Sequence, residues 1–389
     1  MSQHYNFKIV TPSYDSELTE TVFELERLRS FLLFSSSVQP HVFFQMKQIF
    51  HLLETLGSAR IEGNHTTVAD LVEKVISDNV SPKDEKITEI QNIDKAIRFI
   101  DDNVHEGTPI NRALVSEIHK ILMEGLSFHD GGEGDPTPGI YRTIHIAISK
   151  SSHKPPAPEF IQDNMDALFE FIQNQKNQQK QFQLLMTAQT HHALAWIHPF
   201  RNGNGRLVRL LTYAMLISQG FGVNKGRILN PTAIFCVNRE MYYDYLSKAD
   251  SLNNNQVLEW SNYVLTNLLE EIKKIDRLLE FKYLNLHIIK PALLHAKERN
   301  YIKDSEMKIL QEAFTNESIK AENVKNLLSV DSQTASYHLR NLLEKKMLKK
   351  KSAKGRIYQV SFVDNLLLRS FMLKLKDEGF VPLSDELSY

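Results

Sequence analysis

The stretch that most restricts what this chain can become is His198-Pro199-Phe200-Arg201-Asn202-Gly203-Asn204-Gly205-Arg206-Leu207-Val208-Arg209, which runs directly into the apolar segment Leu210 to Ile217. Glycines on either side of Asn204 interrupt regular structure and the apolar run resumes it, so the stretch reads as a loop feeding a helix. Gly203 and Gly205 allow the backbone to turn at positive φ and present successive N–H groups, while the helix adds the positive end of its dipole. Such a turn is an anion cradle. Arg206 and Arg209 share one face of the first turn, where two guanidinium forks suit the outer phosphates of a nucleotide. His198 stands just ahead of the cradle, in the position of a base. A Gly-x-Gly turn alone would equally join two helices; the histidine and the arginine pair make it a site.

These residues carry a resemblance. HPFRNGNGRLVR is similar to the signature of the Fic family, H-x-F-x-[DE]-G-N-[GK]-R-x-x-R, and departs from it at Asn202, where the family usually has a carboxylate. The resemblance implies a protein adenylyltransferase, which moves AMP from ATP to a Ser, Thr or Tyr hydroxyl of a target protein. It implies that His198 takes the hydroxyl proton as the oxygen attacks the α-phosphorus. Asn202, Gly203, Asn204 and Gly205 would then line the ATP site, the Asn204 side chain would hold phosphate charge, and Arg206 and Arg209 would bind the outer phosphates. Mg²⁺ would bridge the phosphates, with Asn202 a weak ligand because Mg²⁺ prefers anionic oxygen.

With 389 residues the chain is long enough for two or three domains. MSQHYNFKIV has no basic patch ahead of an apolar run, and no apolar stretch reaches membrane-spanning length, so neither signal peptide nor membrane span is expected. The single cysteine, Cys236, rules out an internal disulfide framework, and the cytoplasm is the expected compartment.

Leu18 to Phe34 and Val42 to Leu56 repeat apolar residues at helical spacing, joined by a turn from Ser35 to Pro40. The second leads into Gly57-Ser58-Ala59-Arg60-Ile61-Glu62-Gly63-Asn64, which resembles the inhibitory motif [ST]-x-x-x-[EQ]-[GN] of Fic proteins, with Ser58, Glu62 and Gly63 at the matching places. On its residues alone it is equally a helix end stopped by Gly63. The resemblance implies that Glu62 pairs with Arg209 and takes the place of the ATP γ-phosphate. A threonine of Thr66-Thr67 caps the next helix, Val68 to Ile76.

Helices over Ile87 to Val104 and from Thr108-Pro109 to Leu126 precede a loop of turn formers, Gly131 to Gly139. Thr143, Ile144, His145, Ile146, Ala147, Ile148 and Ser149 then alternate as a strand. With Gly139-Ile140-Tyr141-Arg142 before it and Pro155-Pro156 after, this is similar to the β-hairpin flap of Fic proteins, whose edge would align a target segment by main-chain pairing. A structural β-arm is the other reading.

Glu159 to Gln173 and Gln183 to Trp196 are further helices. His191 and His192 lie near His198, but no His-Glu-x-x-His spacing accompanies them and adjacent helical residues point apart, so no zinc site is expected. Gly220 to Gly226 reads as a loop. Asn238 to Leu246 resembles the Fic segment whose tyrosine pair lies by the nucleotide, which assigns Tyr242 to ATP. Val257 to Leu284, without Gly or Pro, reads as one long helix.

From Ser305 the pattern becomes three helices, Ser305 to Phe314, Ala321 to Leu328 and Asp331 to Lys345, then Met347 to Ser361 with a turn at Gly355. This is the order of a winged helix-turn-helix. Ser332, Gln333, Thr334, Ser336, Tyr337 and Arg340 line its third helix as candidates to read base edges, and Lys349, Lys350 and Lys351 would follow the phosphate backbone. Asp331 to Val360 carries a balance of +6 in a chain whose net charge is −1, so the remainder carries −7. That asymmetry points to duplex DNA, with protein contacts as the alternative use.

The expected fold is mainly α: an N-terminal helical region (1–105), a Fic domain with its flap (106–285), a winged helix-turn-helix (286–370) and a tail (371–389). The expected activity is ATP- and Mg²⁺-dependent adenylylation, autoinhibited by Glu62, on a target protein, with duplex DNA as a second partner and a homodimer as a candidate assembly. The alternatives are a DNA-binding regulator whose Fic domain is vestigial or only senses nucleotide, and removal of AMP with Glu62 orienting water.

Overall fold

The computed structural model describes residues 3–30, 38–77, 84–129, 132–148, 151–174, 180–222, 228–236 and 238–381. The end of the first expected helix at Phe34, most of the following turn, Gly131, Ser149, the loop residues 223–226 and the end of the tail lie outside them. The chain divides into two compact units, one formed by Met1–Ser35, Phe50–Thr66 and Pro82–Lys274, the other by Ser36–Ile49, Thr67–Ser81 and Ile275–Tyr389. The N-terminal helices are thus shared between the units.

The helices in chain order are α1 (Glu17–Ser30), α2 (Pro40–Ile61), α3 (Val68–Ser77), α4 (Glu85–Asn103), α5 (Arg112–Met123), α6 (Ile161–Gln173), α7 (Lys180–Ile197), α8 (Asn204–Ser218), α9 (Pro231–Cys236), α10 (Arg239–Ala249) and α11 (Asn254–Leu278). After α11 come α12 (Phe281–Tyr283), a π-helical turn (Leu284–Ile289), α13 (Lys290–Glu298), α14 (Asp304–Thr315), α15 (Ala321–Leu328), α16 (Ser332–Glu344) and α17 (Leu367–Asp377). The protein is mainly helical, as its periodicities require.

In the first unit α7 and α8 pack side by side, with α5 against α8 and α4 against α5. Leu184, Ala188, Leu194, Ile197, Leu207, Leu211 and Ala214 are buried there, and Trp260 of α11 is fully buried with its indole N–H on the Ala188 carbonyl at 2.7 Å. Helix ends follow local chemistry: Asn111 accepts from Leu114 N–H at 3.0 Å to cap α5, and Asn238 accepts from Met241 N–H at 2.9 Å to cap α10. Helix α2 continues past Leu56 through Gly57, where a Cβ would stand 2.9 Å from Cys236 Sγ. Glycine inside this helix is the condition for the close approach of α9. Gly63, at φ 103°, ends the segment.

Two expectations are corrected. The helix expected over Val257 to Leu284 stops at Leu278, because Glu280 is extended (φ −71°, ψ 123°), and helix resumes at Phe281. The π turn then lies just ahead of Pro291, which has no N–H to give to the preceding turn, so the hydrogen-bond ladder shifts there. The isoleucine-rich segment 143–148 forms no strand: the one ladder among the described residues lies in the second unit. Alternation supplied a strand-like pattern, but no described segment runs alongside to pair with it.

In the second unit α14, α15 and α16 are followed by an antiparallel pair, β1 (Leu348–Lys350) and β2 (Tyr358–Val360), with Leu348 opposite Val360 and Lys350 opposite Tyr358. Ile319 bridges to Tyr358. Gln45, from this unit's part of α2, donates to the Val360 carbonyl at 3.1 Å and accepts from Phe362 N–H at 2.9 Å, taking up backbone groups that a further strand would otherwise bond. Asp331 caps α16 through Gln333 and Thr334 N–H, both at 2.8 Å.

Candidate active site

Between α7 and α8 the chain turns at two left-handed residues, His198 (φ 51°) and Gly203 (φ 73°). Gly203 suits that conformation, and a Cβ there would crowd only the flexible end of Met123 of α5. His198 adopts the same backbone region with a Cβ, a strained geometry held by its surroundings. Arg142, almost fully buried, supplies the hold: Nε donates to the His198 carbonyl at 2.8 Å, and the other guanidinium nitrogens donate to Ile144 O at 2.9 Å and Pro156 O at 2.7 Å. One cation therefore ties the candidate base to the segment expected as the flap.

His198 Nδ1 lies 3.1 Å from the Ala195 carbonyl. A carbonyl only accepts, so Nδ1 carries the proton and Nε2 keeps its lone pair. Burial pushes the imidazole pKa down to about 4; the Ala195 carbonyl opposes that shift and the Arg142 cation adds to it. His198 is therefore a neutral base at pH 7.

The loop is braced from within. Asn204 accepts from Phe200 N–H at 3.0 Å and donates to the Phe200 carbonyl at 2.9 Å. Both amide atoms brace the loop, and Nδ2 keeps a second N–H beyond its bond to Phe200. The Asn202 Oδ1 accepts from Gly203 N–H at 2.8 Å and its Nδ2 donates to the Gly132 carbonyl at 3.3 Å, which ties this loop to the one ahead of the isoleucine-rich segment. From outside the loop, Asp135 accepts from Arg201 N–H at 2.9 Å and Asn202 N–H at 3.4 Å. His119 lies against Phe200 with ring centroids 3.8 Å apart, donates from Nε2 to the Asn202 carbonyl at 3.0 Å and accepts from Gly139 N–H at 2.8 Å.

Both arginines are occupied by protein groups. Arg209 donates through Nε to Ser58 Oγ at 3.0 Å, and one terminal nitrogen serves the Ser58 carbonyl at 3.0 Å and Glu62 Oε1 at 2.6 Å. Burial alone would raise the Glu62 carboxyl, but Arg209 and then Arg206 outweigh it and leave it below the ordinary carboxylate value. A Cβ at residue 205 would collide with the Glu62 carboxylate, so Gly205 makes room for it. Gly63, beside Glu62, has open space around its Cα. Arg206 reaches Glu89 Oε1 at 2.9 Å with one terminal nitrogen, and the Glu133 carbonyl at 3.1 Å and Oε2 at 3.0 Å with the other. Asn64 donates to the second oxygen of Glu89 at 2.8 Å.

Tyr242 faces both the core and Arg209, which opposes the rise that burial causes in its phenol. It is buried among Phe235, Trp260 and His191, and its hydroxyl lies 3.1 Å from His191 Nε2. Thr212 gives its hydroxyl proton to the Val208 carbonyl at 2.9 Å, so His191 Nδ1 donates to Thr212 at 2.8 Å and Nε2 accepts from Tyr242. Its neighbour Tyr243 is the exposed ring, under the Arg239 guanidinium at 5.6 Å. Burial raises the Tyr243 phenol and Glu62 raises it further, so Tyr243 stands near the Glu62–Arg209 pair. His192 turns to Tyr5 and Asp250, away from His191.

Sequence reasoning had no role for Glu89, Glu133, Asp135, His119 or Tyr243. Two signals were usable: Arg142, a cation just before the isoleucine-rich segment, and Tyr243 as the second member of the tyrosine pair.

A strained loop at a helix N-terminus, a neutral histidine and two arginines thus lie together. Residues 109–216 match the family model of the Fic/DOC family. That segment is a Fic/DOC family domain. It is 28% identical over 198 residues to the protein adenylyltransferase Fic of Nematostella vectensis, covering 50% of this chain and 42% of that one. Over 206 residues it is 29% identical to the protein adenylyltransferase Fic of Aedes aegypti, covering 52% and 37%. The chain thus spans less than half the length of these relatives. The crystal structure of a Fic family protein from Desulfovibrio desulfuricans G20 shares the fold at a TM-score of 0.56 and 18% identity, covering 92% of this chain and 98% of that one. A Fic domain containing signaling protein from Bacteroides thetaiotaomicron VPI-5482 gives a TM-score of 0.54 at 16% identity, covering 68% and 98%. Among the described residues no helix is long and apolar enough to cross a membrane.

Proposed function

We propose that this chain transfers AMP from ATP to a hydroxyl side chain of a target protein and that Glu62 holds the activity down. One observation carries the reading: a neutral His198 with Nε2 unprotonated stands at the mouth of a helix-terminus cradle whose second arginine is paired with Glu62, the carboxylate just past the end of α2. In the reaction, the target oxygen bonds to the α-phosphorus and the bond to the β-phosphate oxygen breaks, releasing pyrophosphate. His198 Nε2 takes the hydroxyl proton. The N–H groups opening α8 face the charge shifting on the phosphate, and Arg209 would meet an outer phosphate once Glu62 leaves. The unpaired segment 143–148, exposed at Ile144, offers backbone for a target strand. Mg²⁺ is implied by the family; Asn202, whose Oδ1 accepts from Gly203 N–H, would be a weak ligand for it, so the phosphates would supply most of the negative charge.

The test is incubation with α-labelled ATP of the protein, Glu62→Ala and Glu62→Ala/His198→Ala. Label in protein from the second alone, or strongest there, is expected. Equal labelling by the double variant overturns the role of His198.

For the second unit the proposal is a winged helix that binds duplex DNA. Ser332, Gln333, Ser336, Tyr337 and Arg340 are exposed on α16, Thr334 is half-buried, and Lys349, Lys350 and Lys351 are exposed on and beside β1. A helix with a polar outer face next to a cationic hairpin suits base edges and phosphates together.

A further inference from the structure

Three carboxylates, Glu62, Glu89 and Glu133, meet two guanidinium groups, Arg206 and Arg209, at the mouth of the cradle. With His198 neutral and the acids ionised, the cluster carries one more negative charge than positive. A triphosphate cannot settle against that balance by displacing nothing. Removing Glu62 brings the cluster to neutrality; removing a second carboxylate makes it cationic.

Glu89 and Glu133 differ in how firmly they are held. The Glu89 side chain is 4% exposed and its second oxygen is bonded to Asn64, so it is a fixed structural counter-ion. The Glu133 side chain is 42% exposed and meets Arg206 from the solvent side. Its backbone carbonyl also accepts from Arg206, at 3.1 Å, and Asp135 ties this loop to residues 201 and 202. Rotation of the Glu133 side chain into water would therefore leave Arg206 anchored and the loop in place while freeing donor capacity for a phosphate.

We propose that Glu133 is a second inhibitory carboxylate, competing with an ATP phosphate for Arg206 as Glu62 competes for Arg209. The inference rests on the nucleotide-site reading above. It makes relief of inhibition a two-part event, with one carboxylate leaving each arginine.

The test uses the full chain and measures ATP binding by calorimetry alongside transfer of α-label, for Glu62→Ala, Glu133→Gln, Glu62→Ala/Glu133→Gln and Glu62→Ala/Glu133→Ala, with thermal melts to confirm folding. Removal of one partly exposed like charge is expected to tighten ATP binding about fivefold over Glu62→Ala, less at high salt. If Glu62→Ala binds and labels while neither double variant binds more tightly, the Glu133 inference is overturned and the transferase reading stands. Tighter binding without label keeps the inference and overturns transfer. Failure of every variant to bind ATP overturns both.

Discussion

Replacing Glu62 by alanine tests the inhibitory contact through stability before any enzymology. Arg209 is 1% exposed, and Glu62, at 26%, is the carboxylate that neutralises it at 2.6 Å. Breaking a buried ion pair from one side costs about 3–5 kcal/mol, since a charge is left in the interior. Two circumstances reduce that here: Glu62 is partly hydrated, and Arg209 keeps both bonds to Ser58. About 2 kcal/mol is the reasoned cost, or a fall of roughly 4–8 °C in the melting of a unit this size. ATP should restore what the substitution removes, because its phosphate offers Arg209 a new anion. At about 100 times its dissociation constant a ligand adds about 2.7 kcal/mol, so the variant should recover most or all of its lost stability. The assay is a thermal melt of both proteins with and without ATP, followed through first-unit tryptophans Trp196 and Trp260. A variant as stable as the parent, or one no more responsive to ATP, would refute the reasoning, since Arg209 would then neither need Glu62 nor wait for phosphate.

Labelling by Glu62→Ala should be flat from pH 6 to 8 and fall as pH drops toward about 4, where His198 becomes protonated; a midpoint near neutrality would show that the base is another group. Arg142→Ala should lower labelling about tenfold or more through misplacement of His198, while calorimetry finds ATP affinity nearly unchanged; equal losses in both would mean that Arg142 supports the whole loop. Glu54, buried on α2 with both oxygens accepting from Thr232, has its carboxyl pushed up to about 7 by burial. The folded chain binds that proton more tightly than the unfolded one, so stability from this group is lost as pH rises from about 4.5 to 7. Glu54→Gln should then match the parent in melting temperature at pH 5 and exceed it at pH 8, a gap that must widen with pH for the argument to hold. Neutralising Lys349, Lys350 and Lys351 should flatten the salt dependence of duplex binding by up to about 0.9 per lost phosphate contact; an unchanged slope would remove the hairpin from the interface.

What the sequence determined by itself was every feature whose cause lies within a few residues. The turn at Gly203 and the stop at Gly63 follow from local φ preferences, whereas the helix expected from Thr108-Pro109 begins only after the Asn111 cap. The Ser58 to Glu62 segment was legible only through its likeness to a family motif; the two residues stand one helical turn apart and reach the same guanidinium. Tertiary structure alone decided which groups complete the site. Glu89 and Glu133 meet Arg206 across 117 and 73 residues of chain, and no periodicity carries such a pairing. It also decided between Tyr242 and Tyr243, because neighbouring residues on a helix point apart and only packing against Phe235 and Trp260 chooses which is buried. The segment 143–148 has the alternation of a strand, yet a strand exists only where another segment supplies the hydrogen bonds. Local preference names what a residue can do, and burial against distant partners sets which of those things it does.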